Sequence, residues 1–126
     1  MRILIVDDSA MMRALIKRVI GLTELPVDEV VEAANGAEAL RVLETRPVDL
    51  LLTDVNMPGM TGVELLREIS RLRKWPDLVR VIISTDGSAT RRDEAAELDV
   101  RCYLEKPFSP EVLRNVLSQA AGSVQS

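Results

Sequence analysis

The chain has no histidine among its 126 residues, a single cysteine (Cys102) and only three aromatic side chains, Trp75, Tyr103 and Phe108. Each scarcity removes a class of function. Without histidine there is no Ser–His or Cys–His catalytic arrangement, no imidazole metal site and no phosphohistidine donor within the chain. One cysteine excludes an intramolecular disulfide framework and fits a reducing compartment, so a cytoplasmic location is expected. So few rings give no platform for flavin or for stacked single-stranded bases. A net charge of −4 leaves no broad basic face for phosphate backbones, so nucleic acid is not an expected partner. No apolar run approaches the ~18 residues of a spanning helix, and the opening MRILIVDD meets carboxylates too soon for a signal peptide. Membrane insertion is not expected.

What is present is ordinary for a globular fold, with 47% hydrophobic and 29% charged residues, enough for one domain with a sizeable core. Short apolar runs alternate with helical periodicity. Strands are predicted over Arg2–Asp8, Val27–Ala34, Val48–Thr53, Leu78–Ser84 and Val100–Glu105. Ser9 is expected to cap a first helix with Met12, Leu15, Ile16, Val19 and Ile20 inward, and Met11 and Met12 in or beside the core. Asn35 and Glu38 suggest a capping box for the second helix. The third helix, Val63–Arg73, turns Leu65, Leu66, Ile69 and Leu72 inward. The fourth, Gly87–Leu98, has little apolar face beyond Ala89, Ala95 and Leu98 and is expected to be the least firmly packed. Ser109–Pro110 opens the fifth. Residues 1–121 form the expected domain, and 122–126 are read as a loose tail.

This alternation predicts an α/β fold: a single doubly wound (βα)5 domain around a five-stranded parallel sheet. The first, third and fourth strands are nearly continuous apolar runs and belong in the centre. The second and fifth carry interleaved charges and belong at the edges, which gives the order 2-1-3-4-5. In such a sheet the functional crevice lies at the carboxyl ends of the strands, where strand order reverses.

The suspicious polar residues all fall at those ends. Asp7 and Asp8 close the first strand, Asp54 the third and Ser84 the fourth, and Lys106 follows the fifth. Singly, such acids cap helices and such lysines are solvated; together they point to a site. At ~5 Å and an effective dielectric near 20, each carboxylate pair costs on the order of 3 kcal/mol, more than one lysine relieves. Oxygen-only donors select a hard divalent cation, and a few carboxylates completed by water and phosphate suit Mg2+ better than Ca2+. A cation, a hydroxyl and an ammonium around one carboxylate form a phosphoryl-transfer arrangement. Asp54, alone on the central strand, is the candidate nucleophile, giving an acyl phosphate.

The ordered segments ILIVDDS, NGAEAL, LLLTDVNMPGMTG, VIIST and YLEKPF, covering essentially the whole chain, resemble response-regulator receiver domains. The resemblance implies a flavodoxin/CheY-like fold with Asp54 as phosphoacceptor. It implies Mg2+ held directly by Asp8, Asp54 and the Asn56 backbone carbonyl, and through water by Asp7. Ser84 and Lys106 would hold the phosphoryl group, Pro107 would follow a cis bond, and Tyr103 would switch rotamer with Ser84. Read from its own pattern alone, Tyr103 could simply cover an edge strand. The resemblance further implies a histidine kinase or phosphotransfer protein as donor and a protein target on helix four, strand five and helix five. With no effector domain in view, the expected form is a stand-alone, monomeric regulator of the CheY type, chemotaxis-like or in a phosphorelay, and not a turnover enzyme.

Departures from the family pattern mark where this member differs. Thr85 replaces a usually smaller residue and is expected to narrow access to the phosphoryl group. Asn56, Thr85 and Asp86 sit where the family tunes dephosphorylation, and Asp99 stands where glycine is frequent. Two rivals remain at this stage. A receiver binding its partner constitutively, with phosphorylation slow or vestigial, would follow from Thr85. A haloacid-dehalogenase-like phosphohydrolase would need Asp-x-Asp, and Asn56 stands in the second position.

Overall fold

Strand and helix alternate without exception along the chain: β1 (Arg2–Val6), α1 (Ala10–Gly21), β2 (Glu29–Ala33), α2 (Gly36–Thr45), β3 (Leu50–Thr53), α3 (Gly62–Leu72), β4 (Val79–Ser84), α4 (Ala89–Glu97), β5 (Cys102–Glu105) and α5 (Pro110–Ala121). These elements come from a computed structural model that describes residues 1–124. Of the expected tail, Gln125 and Ser126 lie outside the described residues. Gly122, Ser123 and Val124 close α5 through backbone hydrogen bonds to Ser118, Ala120 and Ala121 at 3.0–3.2 Å.

All pairings in the sheet are parallel and the order is β2-β1-β3-β4-β5, as the charge pattern predicts. Every residue of β3 and β4 is buried, whereas β2 and β5 hold exposed glutamates. Alternate residues feed opposite faces. Leu4, Val6, Leu51 and Ile82 pack with Ala39, Leu43, Leu65, Leu66 and Ile69 on the α2–α3 side. Ile3, Ile5, Leu52, Val81 and Ile83 pack with Ile16, Val19, Leu113 and Leu117 on the α1–α5 side. In register, Val6 stands opposite Thr53, so Asp7 and Asp54 emerge side by side just past the sheet.

Two expectations need correction. In α1, Ile16, Val19 and Ile20 are buried, but Leu15 is 41% exposed and Met11 84% exposed. Leu15 lies roughly a quarter-turn from the centre of the seam formed by Met12, Ile16, Val19 and Ile20, and Met11 lies farther round still. At α2, Asn35 accepts from the Glu38 N–H at 2.8 Å, the forward half of a capping box. The reciprocal pair forms at α3, where Thr61 and Glu64 exchange side-chain-to-backbone hydrogen bonds at 3.2 Å. Trp75 is wedged at the N-terminal end of the sheet, half-buried, with its indole N–H donating to the Leu43 carbonyl at 3.1 Å.

Two features follow the sequence closely. The only buried residue of α4 is Ala95. Asp99 adopts the left-handed conformation, φ 61°, and its carboxylate stands 3.6 Å from the buried Arg80 guanidinium.

Candidate functional site

At the carboxyl end of the sheet each loop is tied before its side chain is presented. The Asp7 N–H continues the ladder to the Ala33 carbonyl (3.1 Å), and the Asp54 N–H donates to the Val6 carbonyl (2.9 Å). Asp7 is 2% exposed. Its Oδ1 accepts from the Ser9 N–H at 2.9 Å, and its Oδ2 from Lys106 Nζ at 3.0 Å. Asp8 is exposed, and among the described residues its carboxylate has no hydrogen-bond donor.

Asp54 is 7% exposed. Its Oδ1 accepts from the Val55 N–H at 2.8 Å, while Oδ2 faces Lys106 Nζ at 3.6 Å. Burial raises the Asp54 pKa above the ordinary carboxyl value; Lys106 opposes that shift and Asp7 adds to it. The backbone behind Asp54 is dense. Thr53 Oγ1 donates to the Asp54 carbonyl at 2.8 Å, and Gly62 lies so close that a Cβ there would sit 2.0 Å from the same oxygen. Helix α3 therefore starts directly against the loop that carries Asp54.

Ligand oxygens of Asp7, Asp8 and Asp54 lie within 4.8 Å of one another. Lys106, with a side chain 12% exposed, contacts two of the three carboxylates. The Lys106–Pro107 peptide is cis, and the Lys106 N–H donates to the Ser84 carbonyl at 2.7 Å. Ser84 is fully buried; its Oγ accepts from the Asp86 N–H at 3.1 Å, and its hydroxyl faces that of Tyr103.

Around Ser84 the β4–α4 loop is held from several sides. The Tyr103 hydroxyl donates to the Asp86 carbonyl, and the Arg92 guanidinium lies 4.7 Å from the Tyr103 ring centroid. Tyr103 is thus a half-buried prop under this loop, packed against the α2–α3 core. The Asp86 carboxylate turns toward α4, accepting from the Ser88 N–H at 3.0 Å and from Arg91 at 3.3 Å. Those Ser88 contacts, with Arg91 behind them, hold its pKa below the ordinary value. Asn56 and Thr85 are exposed.

Five side chains singled out at strand ends, Asp7, Asp8, Asp54, Ser84 and Lys106, are therefore brought to one end of the sheet. Sequence reasoning missed Arg13, whose Nη1 donates to the Asp7 carbonyl at 2.6 Å while Nε donates to Glu32 at 3.1 Å. Only its position, one turn into the helix after the acid pair, hinted at such a contact.

The donor set fits a hard divalent cation. Its three carboxylates are all oxygen donors, crowded together with one ammonium against them, and an excess of negative charge at this spacing favours a cation.

Comparison with known proteins finds a family match and close structural neighbours. The sequence model of the family described as "Response regulator receiver domain" matches residues 3–118. A chemotaxis protein CheY homolog of Campylobacter jejuni is 38% identical over 124 residues, covering 98% of this chain and 94% of its own length. The chemotaxis protein CheY of Pseudomonas aeruginosa is 37% identical, with 94% of each chain covered. Among solved structures, the chemotaxis response regulator CheY4 of Vibrio cholerae superposes with a TM-score of 0.84 at 29% identity, covering 94% of this chain and 97% of that one.

Proposed function

The chain belongs to the response-regulator receiver domain family, and from that premise we propose that it is a CheY-type switch of two-component signalling, phosphorylated on Asp54. The observation that carries this reading is the convergence of Asp7, Asp8 and Asp54 within 4.8 Å, with Lys106 against two of them. It spans 94–98% of the length of CheY relatives from three organisms, and a chemotaxis-like role in the cytoplasm follows from that kinship.

In this reading Asp54 Oδ2 is the nucleophile, because Oδ1 is engaged by the Val55 N–H. The donor is the phosphohistidine of a partner kinase or phosphotransfer protein, or a small acyl phosphate. The carboxylate oxygen forms the new bond to phosphorus, the P–N bond to the donor imidazole breaks, and the imidazole takes up a proton. Lys106 Nζ and the Ser84 hydroxyl would hold the phosphoryl oxygens. Asp8, Asp54 and the Asn56 carbonyl would hold Mg2+ directly and Asp7 through water, and the bound ion supplies charge neutralisation on the transferred group.

The readout is a change of surface. Ser84 lies under the β4–α4 loop, and the same loop is propped by Tyr103 at the Asp86 carbonyl. Pulling the Ser84 hydroxyl toward a phosphoryl group would shift the equilibrium of this loop and of Tyr103. The surface that changes is that of α4, β5 and α5, and a protein target would bind there. Asn56, Thr85 and Asp86 border the acceptor and would set the phosphoryl lifetime. The protein acts as a monomer and has no external substrate to turn over.

Incubation with acetyl phosphate or phosphoramidate and Mg2+ is expected to give an acid-stable, base-labile phosphoryl adduct, read by intact mass. The adduct should be absent from Asp54→Asn. If none forms on the wild type, or if Asp54→Asn acquires it to the same level, the assignment fails.

A further inference from the structure

Arg13 makes two contacts with one rigid group. Its Nη1 donates to the backbone carbonyl of Asp7 at 2.6 Å, and its Nε donates to Glu32 Oε1 at 3.1 Å. The side chain is 18% exposed, and Glu32 itself is steadied by Lys17 at 3.9 Å. The guanidinium therefore bridges helix α1 to the edge strand β2 across the mouth of β1.

The carbonyl it takes is a special one. The Val6 carbonyl is used by the Asp54 N–H, and the Asp7 N–H by the Ala33 carbonyl. The Asp7 carbonyl is the next acceptor along the chain, and it belongs to the peptide plane joining Asp7 to Asp8. Because that plane is rigid, fixing the oxygen fixes the direction in which the chain enters Asp8. Asp7 is already held by Ser9 and Lys106. Asp8 is exposed, and among the described residues nothing donates to its carboxylate, so its aim depends on its backbone.

We infer that Arg13, anchored by Glu32, is a positioning residue that sets the Asp7–Asp8 peptide so that the Asp8 carboxylate joins those of Asp7 and Asp54. This rests on the reading of that cluster as a Mg2+ site. A planar fork is suited to the role: it satisfies a carbonyl and a carboxylate at once with charge-assisted hydrogen bonds, which a lysine ammonium on a flexible stem does not reproduce.

The rival explanation is that Arg13 is only a nearby positive charge. The two differ in sign. Removing a cation beside an acidic site strengthens Mg2+ binding by electrostatics alone, whereas losing a group that orients a ligand weakens it, commonly by about tenfold or more. Mg2+ affinity is measured by titration calorimetry on the wild type, Arg13→Ala, Arg13→Lys and Glu32→Gln, with circular dichroism and metal-free melting on each. The expected result is weakening of about tenfold in Arg13→Ala, a comparable loss in Arg13→Lys despite its retained charge, and a smaller loss in Glu32→Gln. A folded Arg13→Ala that binds Mg2+ as tightly as the wild type, or more tightly, overturns the inference. Should Arg13→Ala not fold, unchanged affinity in both Arg13→Lys and Glu32→Gln overturns it equally. A wild type that binds no Mg2+ brings down the functional reading and this inference together; a wild type that binds it, with variants unchanged, brings down the inference alone.

Discussion

Asp54 has to carry charge where burial opposes it. Its pKa is raised chiefly by desolvation, with Lys106 pulling the other way. A carboxyl whose folded-state pKa lies above its unfolded value binds its proton more tightly when folded. It therefore subtracts stability above the folded pKa, and that penalty disappears below the unfolded one. Asp54→Asn should raise the melting temperature by a few degrees at neutral pH in metal-free buffer. The gain should shrink as pH falls and vanish below the ordinary carboxyl value of 3.8. Melts across that range check this; a variant less stable than the wild type at neutral pH would contradict it. Asp54 and its neighbours were legible in the sequence because a strand that ends in a polar residue must deliver it to the mouth of the sheet. Arg13 was not, because its partners are a backbone carbonyl six residues back and a glutamate nineteen residues on. No local period encodes either pairing.

Helix α3 is where an element depends on a missing side chain. Its capping box at Thr61 and Glu64 fixes the first turn, and Gly62 lets that turn lie on the Asp54–Val55 backbone. Gly62→Ala would bring a Cβ 2.0 Å from the Asp54 oxygen and 2.9 Å from Val55 Cα, both backbone atoms. Neither can swing aside, so the expected cost is about 3 kcal/mol, at the upper end of ordinary overpacking. Gly21, at the end of α1 with nothing within 4 Å of its Cβ position, supplies the contrast. Gly21→Ala should be neutral or stabilising by up to about 1 kcal/mol. Urea unfolding of the pair separates contact from chain entropy; equal effects would refute the contact argument. The presence of α3 was legible from its apolar spacing. The tightness of its start was not, since the same glycine in sequence could serve any turn. For α4 the reverse holds: its shortage of apolar residues signalled weak anchoring, and Ala95 alone is buried.

The whole molecule has two ends that do different work, and the sheet order follows from charge. Glutamates on β2 and β5 could not lie between apolar strands, which left β1, β3 and β4 for the centre. The carboxylates gather at one end of these strands and Trp75 lies at the other, beside the entry to β4. The six residues of β4, at ~3.3 Å each, separate the two by about 20 Å. Two observables should therefore part company. Mg2+ should raise the unfolding free energy of the unphosphorylated protein by about 1.4 kcal/mol at ten times its dissociation constant. The emission of native Trp75 should stay constant through the same titration. In thermal or urea melts, Trp75 emission and far-ultraviolet circular dichroism should share one midpoint, because both core faces are built on the same sheet and must come apart together. Saturable quenching of Trp75 by Mg2+ in the folded state would mean either a cation at the tryptophan end or a rearrangement transmitted along β4, and the separation of the two ends would have to be abandoned.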